Sequence, residues 1–148
     1  MFAFTLTMIN RIFRTLPLVC LVSAVWCLPA AAQEGMKIEL NKLESVEGAC
    51  RAYMVFENNA SSAYDSLKLD LVMFDPNGVI NKRLAVEGGP LPAGKTSVKL
   101  FDIKDVSCAD VDRVLLNDVL SCQGPAGDIE GCLDDIDTTS RHSAVFFK

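Results

Sequence analysis

Residues able to do chemistry are few in this sequence, and their spacing argues against most of it. His142 is the only histidine, and it stands in the polar run Ser140-Arg141-His142-Ser143 near the end of the chain. A catalytic histidine needs a buried acid to hold it and a nucleophile to face. A polar tail supplies neither, so a solvated histidine is expected. Asp134, Asp135 and Asp137 could offer hard oxygen ligands, but a hand-type Ca²⁺ loop spreads its ligands over about twelve positions around a central glycine. That spacing is absent, and a solvated acidic turn is expected. Asp102, Asp105, Asp110 and Asp112 also lie close in sequence, where a loop or a helix cap accounts for them. Met36, Met54 and Met73 with His142 would suit a soft metal such as copper. Each methionine sits alone on a strand-like segment, where packing explains it. Gly88-Gly89 runs into Pro90 with no Lys-Ser/Thr behind it, so no phosphate loop is formed. Paired carboxylates of the glycosidase kind depend on separation in space, which only a fold reveals. Asn59-Ala60-Ser61 has the form of a glycosylation triplet and is treated as chance. No catalytic, cofactor-binding or metal residue is expected.

The remaining chemistry belongs to six cysteines. Cys20 and Cys27 lie within an apolar run, and Cys50, Cys108, Cys122 and Cys132 lie beyond it. No Cys-x-x-Cys pair occurs, which argues against a thioredoxin-like redox site and a zinc knuckle. An even number of cysteines in an oxidising compartment points to two disulfides, the alternative being four free thiols.

The N-terminus supports that compartment. Arg11 and Arg14 are the only charges before Glu34, Leu16–Leu28 is apolar apart from Pro17 and Ser23, and Pro29-Ala30-Ala31-Ala32 closes the run. A positive start, a short apolar middle and an A-x-A end make a secretory signal peptide. Cleavage is expected after Ala32, with Met8 a plausible start. A transmembrane anchor, the alternative, needs about twenty apolar residues. Ile12 and Phe13 separate the two arginines, which favours the general secretory route over the twin-arginine route. Localisation is therefore expected to be periplasmic or secreted. Residues 33–148 carry twelve basic and nineteen acidic residues, a net charge of −7. Such a surface repels nucleic-acid phosphates and anionic lipid, so neither is expected as a partner. No membrane span is expected after cleavage.

Residues 33–148 suit one domain, and they are patterned as strands. Met36–Leu43 alternates Met36, Ile38 and Leu40 with Lys37, Glu39 and Asn41, and Ala49–Glu57 carries Tyr53, Met54, Val55 and Phe56. Leu67, Leu69, Leu71 and Met73 alternate with Lys68, Asp70, Val72 and Phe74, the clearest period of two in the chain. Because Val72 and Phe74 are apolar as well, that far end is expected to be covered on both faces. Asp75-Pro76-Asn77-Gly78 is a tight-turn signal, and Val79–Val86 is the returning strand. Thr96–Ile103 and Arg113–Leu120 complete the set. The continuous apolar run of the latter, which a helix would also fit, is read as a strand because it is short and lies among strands. One helical turn is expected within Val106–Asp112. Gly124–Gly131 is read as a loop. The tail beyond Cys132 is read as partly irregular, and its last apolar residues, Ala144–Phe147, could add an edge strand. Short strands separated by turn signals imply an all-β, two-sheet antiparallel sandwich of six to seven strands.

Phe56-Glu57-Asn58, Leu67-x-Leu69-x-Leu71-x-x-Phe74, Asp75-Pro76-Asn77-Gly78 and Leu91-Pro92-Ala93-Gly94-Lys95 resemble the FxLYD-like and related immunoglobulin-like modules of bacterial envelope proteins. Gly48-Ala49-Cys50-Arg51-Ala52-Tyr53 and Arg113-Val114-Leu115-Leu116-Asn117-Asp118-Val119 resemble an uncharacterised alphaproteobacterial exported family often labelled as Tat-pathway signal proteins, although the adjacent arginine pair is missing. Neither resemblance supplies catalytic residues. Both imply a non-enzymatic module outside the cytoplasm.

Four cysteines allow three pairings. In immunoglobulin-like connectivity the second strand runs antiparallel to the fifth, so Cys50, at the start of one, lies near Cys108, just past the end of the other. Cys122 and Cys132 flank the glycine- and proline-bearing loop. Cys50–Cys108 and Cys122–Cys132 are therefore expected, and a Cys50–Cys122 bridge would contradict this strand order. The function expected is a periplasmic interaction or accessory module whose partner is another envelope protein. The alternative is a small ligand-binding or hydrolytic domain built on a carboxylate cluster.

Overall fold

A computed structural model describes residues 35–148. The expected signal segment, with Cys20 and Cys27, lies outside the described residues. Nine strands follow one another: β1 (Met36–Val46), β2 (Ala49–Asn58), β3 (Ser66–Phe74), β4 (Ile80–Glu87), β5 (Thr96–Lys104), β6 (Arg113–Gly124), β7 (Gly127–Asp128), β8 (Ile136–Ser140) and β9 (Val145–Phe147), with a 3-10 turn at Cys108–Asp110. They form an all-β sandwich. One sheet has the order β5-β2-β1-β8, and the other has β4-β3-β6, with β7 and β9 both pairing β6.

The period of two builds the core. Leu67, Leu69, Leu71 and Met73 of β3 are buried, and so are Cys50, Ala52, Met54 and Phe56 of β2 and Met36, Ile38 and Leu40 of β1. Successive strand side chains point to opposite faces, so these rows meet between the sheets. The far end of β3 is covered on its outer side too: Phe147 pairs with Leu115, and the Phe74 and Phe147 rings lie 6.4 Å apart.

The turn between β3 and β4 forms as its residues dictate. The Asp75 carboxylate accepts from the Asn77 and Val79 amides at 2.9 and 2.8 Å, and Gly78 adopts φ of 78°, which is readily accessible to glycine. At the β4–β5 connection, a side chain on Gly89 would meet the Leu67 backbone nitrogen at 2.7 Å.

Three strand pairings depart from simple alternation through bulges, where an extra residue turns the side chains after it to the other face. Asn41 is the extra residue of β1, so Leu43 rather than Lys42 faces inward. Asn117 and Leu120 are extra residues of β6 opposite β3. The inward side chains of β6 therefore run Val114, Leu116, Val119, Cys122, which explains why its apolar pattern resembles neither a clean strand nor a helix. The third irregularity lies in the β3–β4 pairing between Met73 and Phe74.

The strand count and the purely antiparallel expectation both change at the tail. Residues that read as polar and irregular hold β8, which pairs in parallel with β1, and the apolar end expected as an edge strand is β9, which pairs in parallel with β6. Apart from Ile136, β8 is Asp137-Thr138-Thr139-Ser140, with almost no hydrophobic signal. Its place is set by the backbone ladder of β1, which sequence periodicity does not report. The loop at Gly124–Gly131 likewise contains the two-residue β7, hydrogen-bonded to the end of β6. Among the described residues no helix is long and apolar enough to cross a membrane.

Candidate functional site

The outer face of the β5-β2-β1-β8 sheet follows from the residues left over once the core is assigned. Thr96, Val98, Leu100 and Asp102 of β5 lie opposite Glu57, Val55, Tyr53 and Arg51 of β2, and these in turn face Lys37, Glu39, Lys42 and Glu44 of β1. Val98 is 57% exposed and Leu100 49%. With Tyr53 and Val55 they form an apolar strip along an edge strand.

Charged side chains border the strip in an ordered ladder. Arg51 donates through Nε and a terminal nitrogen to both Asp102 oxygens, at 2.6 and 2.9 Å. This two-pronged bond raises the Arg51 pKa and lowers that of Asp102. The Tyr53 hydroxyl donates to Glu44 at 2.5 Å, which raises the tyrosine pKa. Lys42 donates to the other Glu44 oxygen at 2.8 Å and sits 5.1 Å from the Tyr53 ring centre. Glu44 is held below its ordinary pKa first by Lys42 and then by Tyr53.

Each sheet also buries one carboxylate on its outer face. Glu39 is 7% exposed and Asp70 3%. Arg141 donates to both Glu39 oxygens at 3.0 and 3.1 Å, and Asn41 to one at 2.9 Å. Arg83 donates to both Asp70 oxygens at 2.8 Å, and Asn117 to one at 2.6 Å. The two sites share a plan: an arginine covers the carboxylate, and an asparagine at a bulge supplies the extra donor. The Asn41 bond lowers the pKa of Glu39, and the Arg83 bond that of Asp70, each outweighing the opposing effect of burial. A general acid working near neutrality needs a raised pKa. These carboxylates are arranged as fixed, neutralised charges.

Nothing in the local sequence singles these residues out. Glu39 and Asp70 occupy ordinary outward positions, and their partners come from as far as 102 residues away. Another buried polar residue, Asn58, shows in sequence as the last residue of the Phe56-Glu57-Asn58 motif. Its amide donates to the carbonyls of Ser62, Leu91 and Pro92, and its oxygen accepts from the Ala60 amide at 3.0 Å. It joins the end of β2 to two loops.

The cysteines pair as the immunoglobulin-like strand order implies. Cys50 is bonded to Cys108 and Cys122 to Cys132, with Cα separations of 4.9 and 6.5 Å. Cys50 lies opposite Ile103 of β5, and the chain needs only the short link to Cys108 to return. The two disulfides fit an oxidising compartment.

The other sequence candidates are dispersed. His142 is half-buried in the turn between β8 and β9, where its Nδ1 accepts from the Ala144 amide at 3.0 Å. Met36, Met54 and Met73 are core residues. Asp102 belongs to the ladder, Asp105 turns with φ of 61°, the Asp110 carbonyl accepts from Asn81 at 2.5 Å, and Asp112 faces Arg113 at 3.6 Å. The Asp135 carbonyl accepts from the Met36 amide at 3.0 Å, so this acidic turn anchors β1 beside β8. Among the described residues no three of histidine, cysteine, aspartate and glutamate converge as a metal site would require.

No protein-family model matches the chain, and no curated protein matches it. The solved structure of IrmA from Escherichia coli resembles it, with a TM-score of 0.57 at 13% identity, covering 74% of this chain and 95% of that one. At that identity the likeness concerns the fold alone.

Proposed function

We propose that the chain is an exported, non-enzymatic interaction module that works in the periplasm or outside the cell, and that another exported protein docks on the β5 side of its first sheet. The observation that carries this reading is the strip in which Val98 and Leu100, exposed on the edge strand β5, lie beside the half-buried Val55 and Tyr53 of β2, framed by the Arg51–Asp102 and Lys42–Glu44–Tyr53 contacts. Tyrosine and arginine around an apolar centre are the composition of binding hot spots. An edge strand offers backbone groups to a partner strand as well. The lowered pKa values of Glu39 and Asp70 weigh against the rival reading of a hydrolytic carboxylate cluster.

A pull-down from periplasmic extract with the oxidised protein tests this. A protein retained by the parent chain and released by Val98→Asp/Leu100→Asp supports the proposal. If nothing is retained, and a metabolite panel raises the melting temperature instead, the ligand-binding alternative replaces it.

A further inference from the structure

The second sheet leaves a gap. Strand β6 is paired with β3 from Arg113 to Gln123 on one side, apart from the two bulge residues. On its other side β9 pairs only with Arg113–Leu115, and β7 only with Gln123 and Gly124. The Cys122 carbonyl accepts from the Ile129 amide at 2.9 Å. Between these two short strands, among the described residues, no strand adjoins that side of β6 from Leu116 to Ser121. A groove of about 530 Å³ lies at the β7 end of this gap, lined by residues 118–123 of β6 and by Asp128, Ile129 and residues 131–133, within the size range of binding clefts. The Cys122–Cys132 bond ties its second wall to its first.

The lining gives the groove a chemical preference. Ile129 and Leu133 pack partly against the core, and Leu120, pushed out by the bulge, is 51% exposed. Asp118 and Asp128 line the groove, Asp128 accepting from the Gln123 amide at 2.8 Å. These are the two acids of the lining, which holds no lysine or arginine, and Lys148 stands at the end of one wall, its Nζ donating to the Leu133 and Asp134 carbonyls at 3.0 Å. The two bulges break the regular spacing of backbone groups that a flat edge strand from a second copy would need. What fits is a short extended segment that pairs with a few backbone groups, places an apolar side chain against Leu120 and sets cationic side chains beside the aspartates.

We infer that the gap between β7 and β9 is a binding groove for an extended cationic peptide carrying alternate apolar residues. This site lies on the other sheet from the β5 strip and does not depend on it.

A fluorescein-labelled peptide alternating lysine with valine or leucine is the probe, titrated against the oxidised protein by anisotropy, with a glutamate-for-lysine version as control. Saturable binding of the lysine peptide alone is expected, with backbone amide shifts concentrated between Leu116 and Gln123. Asp118→Lys/Asp128→Lys should weaken binding by at least about tenfold, and Glu47→Lys/Glu87→Lys, with the same change in net charge, should leave it unchanged. Leu120→Arg repeats the test at an exposed position if the first variant folds poorly. Absence of saturable binding, equal loss in both charge-reversal variants, or amide shifts centred elsewhere would overturn the inference. Loss of binding in the groove variants, with Val98→Asp/Leu100→Asp binding the peptide normally, supports it and keeps the two surfaces separate.

Discussion

Single side chains do more here to fix geometry than to prepare chemistry. The amides of Asn41 and Asn117 each complete the coordination of a buried carboxylate. Hydrogen bonds to charged groups contribute about 1.5–3 kcal/mol when a buried acceptor would otherwise lose a partner. We expect Asn117→Ala to lower unfolding free energy by about 2 kcal/mol in urea denaturation at neutral pH. Its pH dependence identifies the cause. Asp70 is held below its ordinary value of 3.8, so the stability it contributes is present above that value and is lost as pH falls through the lower native value. Losing the Asn117 bond moves the native pKa back toward the unfolded one. The deficit of the variant should therefore shrink as pH drops below about 4. A deficit constant down to acid pH would mean that Asn117 acts through the bulge backbone and not through the carboxylate.

At the scale of elements, the bulges decide which side chains are inside. Because Asn41 is the extra residue, deleting it joins Leu40 directly to Lys42, which stays opposite Tyr53, and leaves Leu43 opposite Ala52. The deletion should therefore keep cooperative unfolding and the near-ultraviolet circular dichroism, and should cost about 2 kcal/mol through the lost hydrogen bond from Asn41 to Glu39. Loss of cooperative unfolding would mean that the bulge itself holds the sheet together. The same parity changes mark what is legible in the sequence. Leu67 to Met73 declares its strand because no bulge interrupts its own alternation, and Asp75 to Gly78 declares its turn because each residue type answers a local need. The step from Leu40 to Leu43 is the one trace of the β1 bulge. In β6 the three-residue steps from Leu116 to Val119 and on to Cys122 are hidden in a nearly continuous apolar run. Strand β8 leaves no trace in composition, because its pairing with β1 is a backbone matter. The buried carboxylates are illegible for a similar reason, since Glu39 and Arg141 meet only after the tail has folded back.

For the whole molecule, the two disulfides close loops of very different size. The Cys50–Cys108 bond spans 58 residues and the Cys122–Cys132 bond spans 10. Chain entropy assigns roughly 4 kcal/mol to the first and about 3 to the second. Paired serine variants should therefore lose stability in that order, read as chemical-denaturation midpoints, with Cys50→Ser/Cys108→Ser the more damaging. The reverse order would show that the short bridge holds more than its own loop. The Cys122→Ser/Cys132→Ser protein should also bind the lysine peptide more weakly, because the second wall of the groove is then free to move. The β5 strip lies on the other sheet, and its behaviour in the pull-down should not change.

The parallel pairing of β1 with β8 has a consequence in time. The Leu40 carbonyl accepts from the hydroxyl of Ser140, a residue 100 positions later, and β1 has β2 as its only partner until the tail arrives. Long-range pairings of this kind slow folding. The strand made first is therefore completed last, and a chain emerging from its N-terminus keeps one side of β1 open until almost all of its length has been delivered.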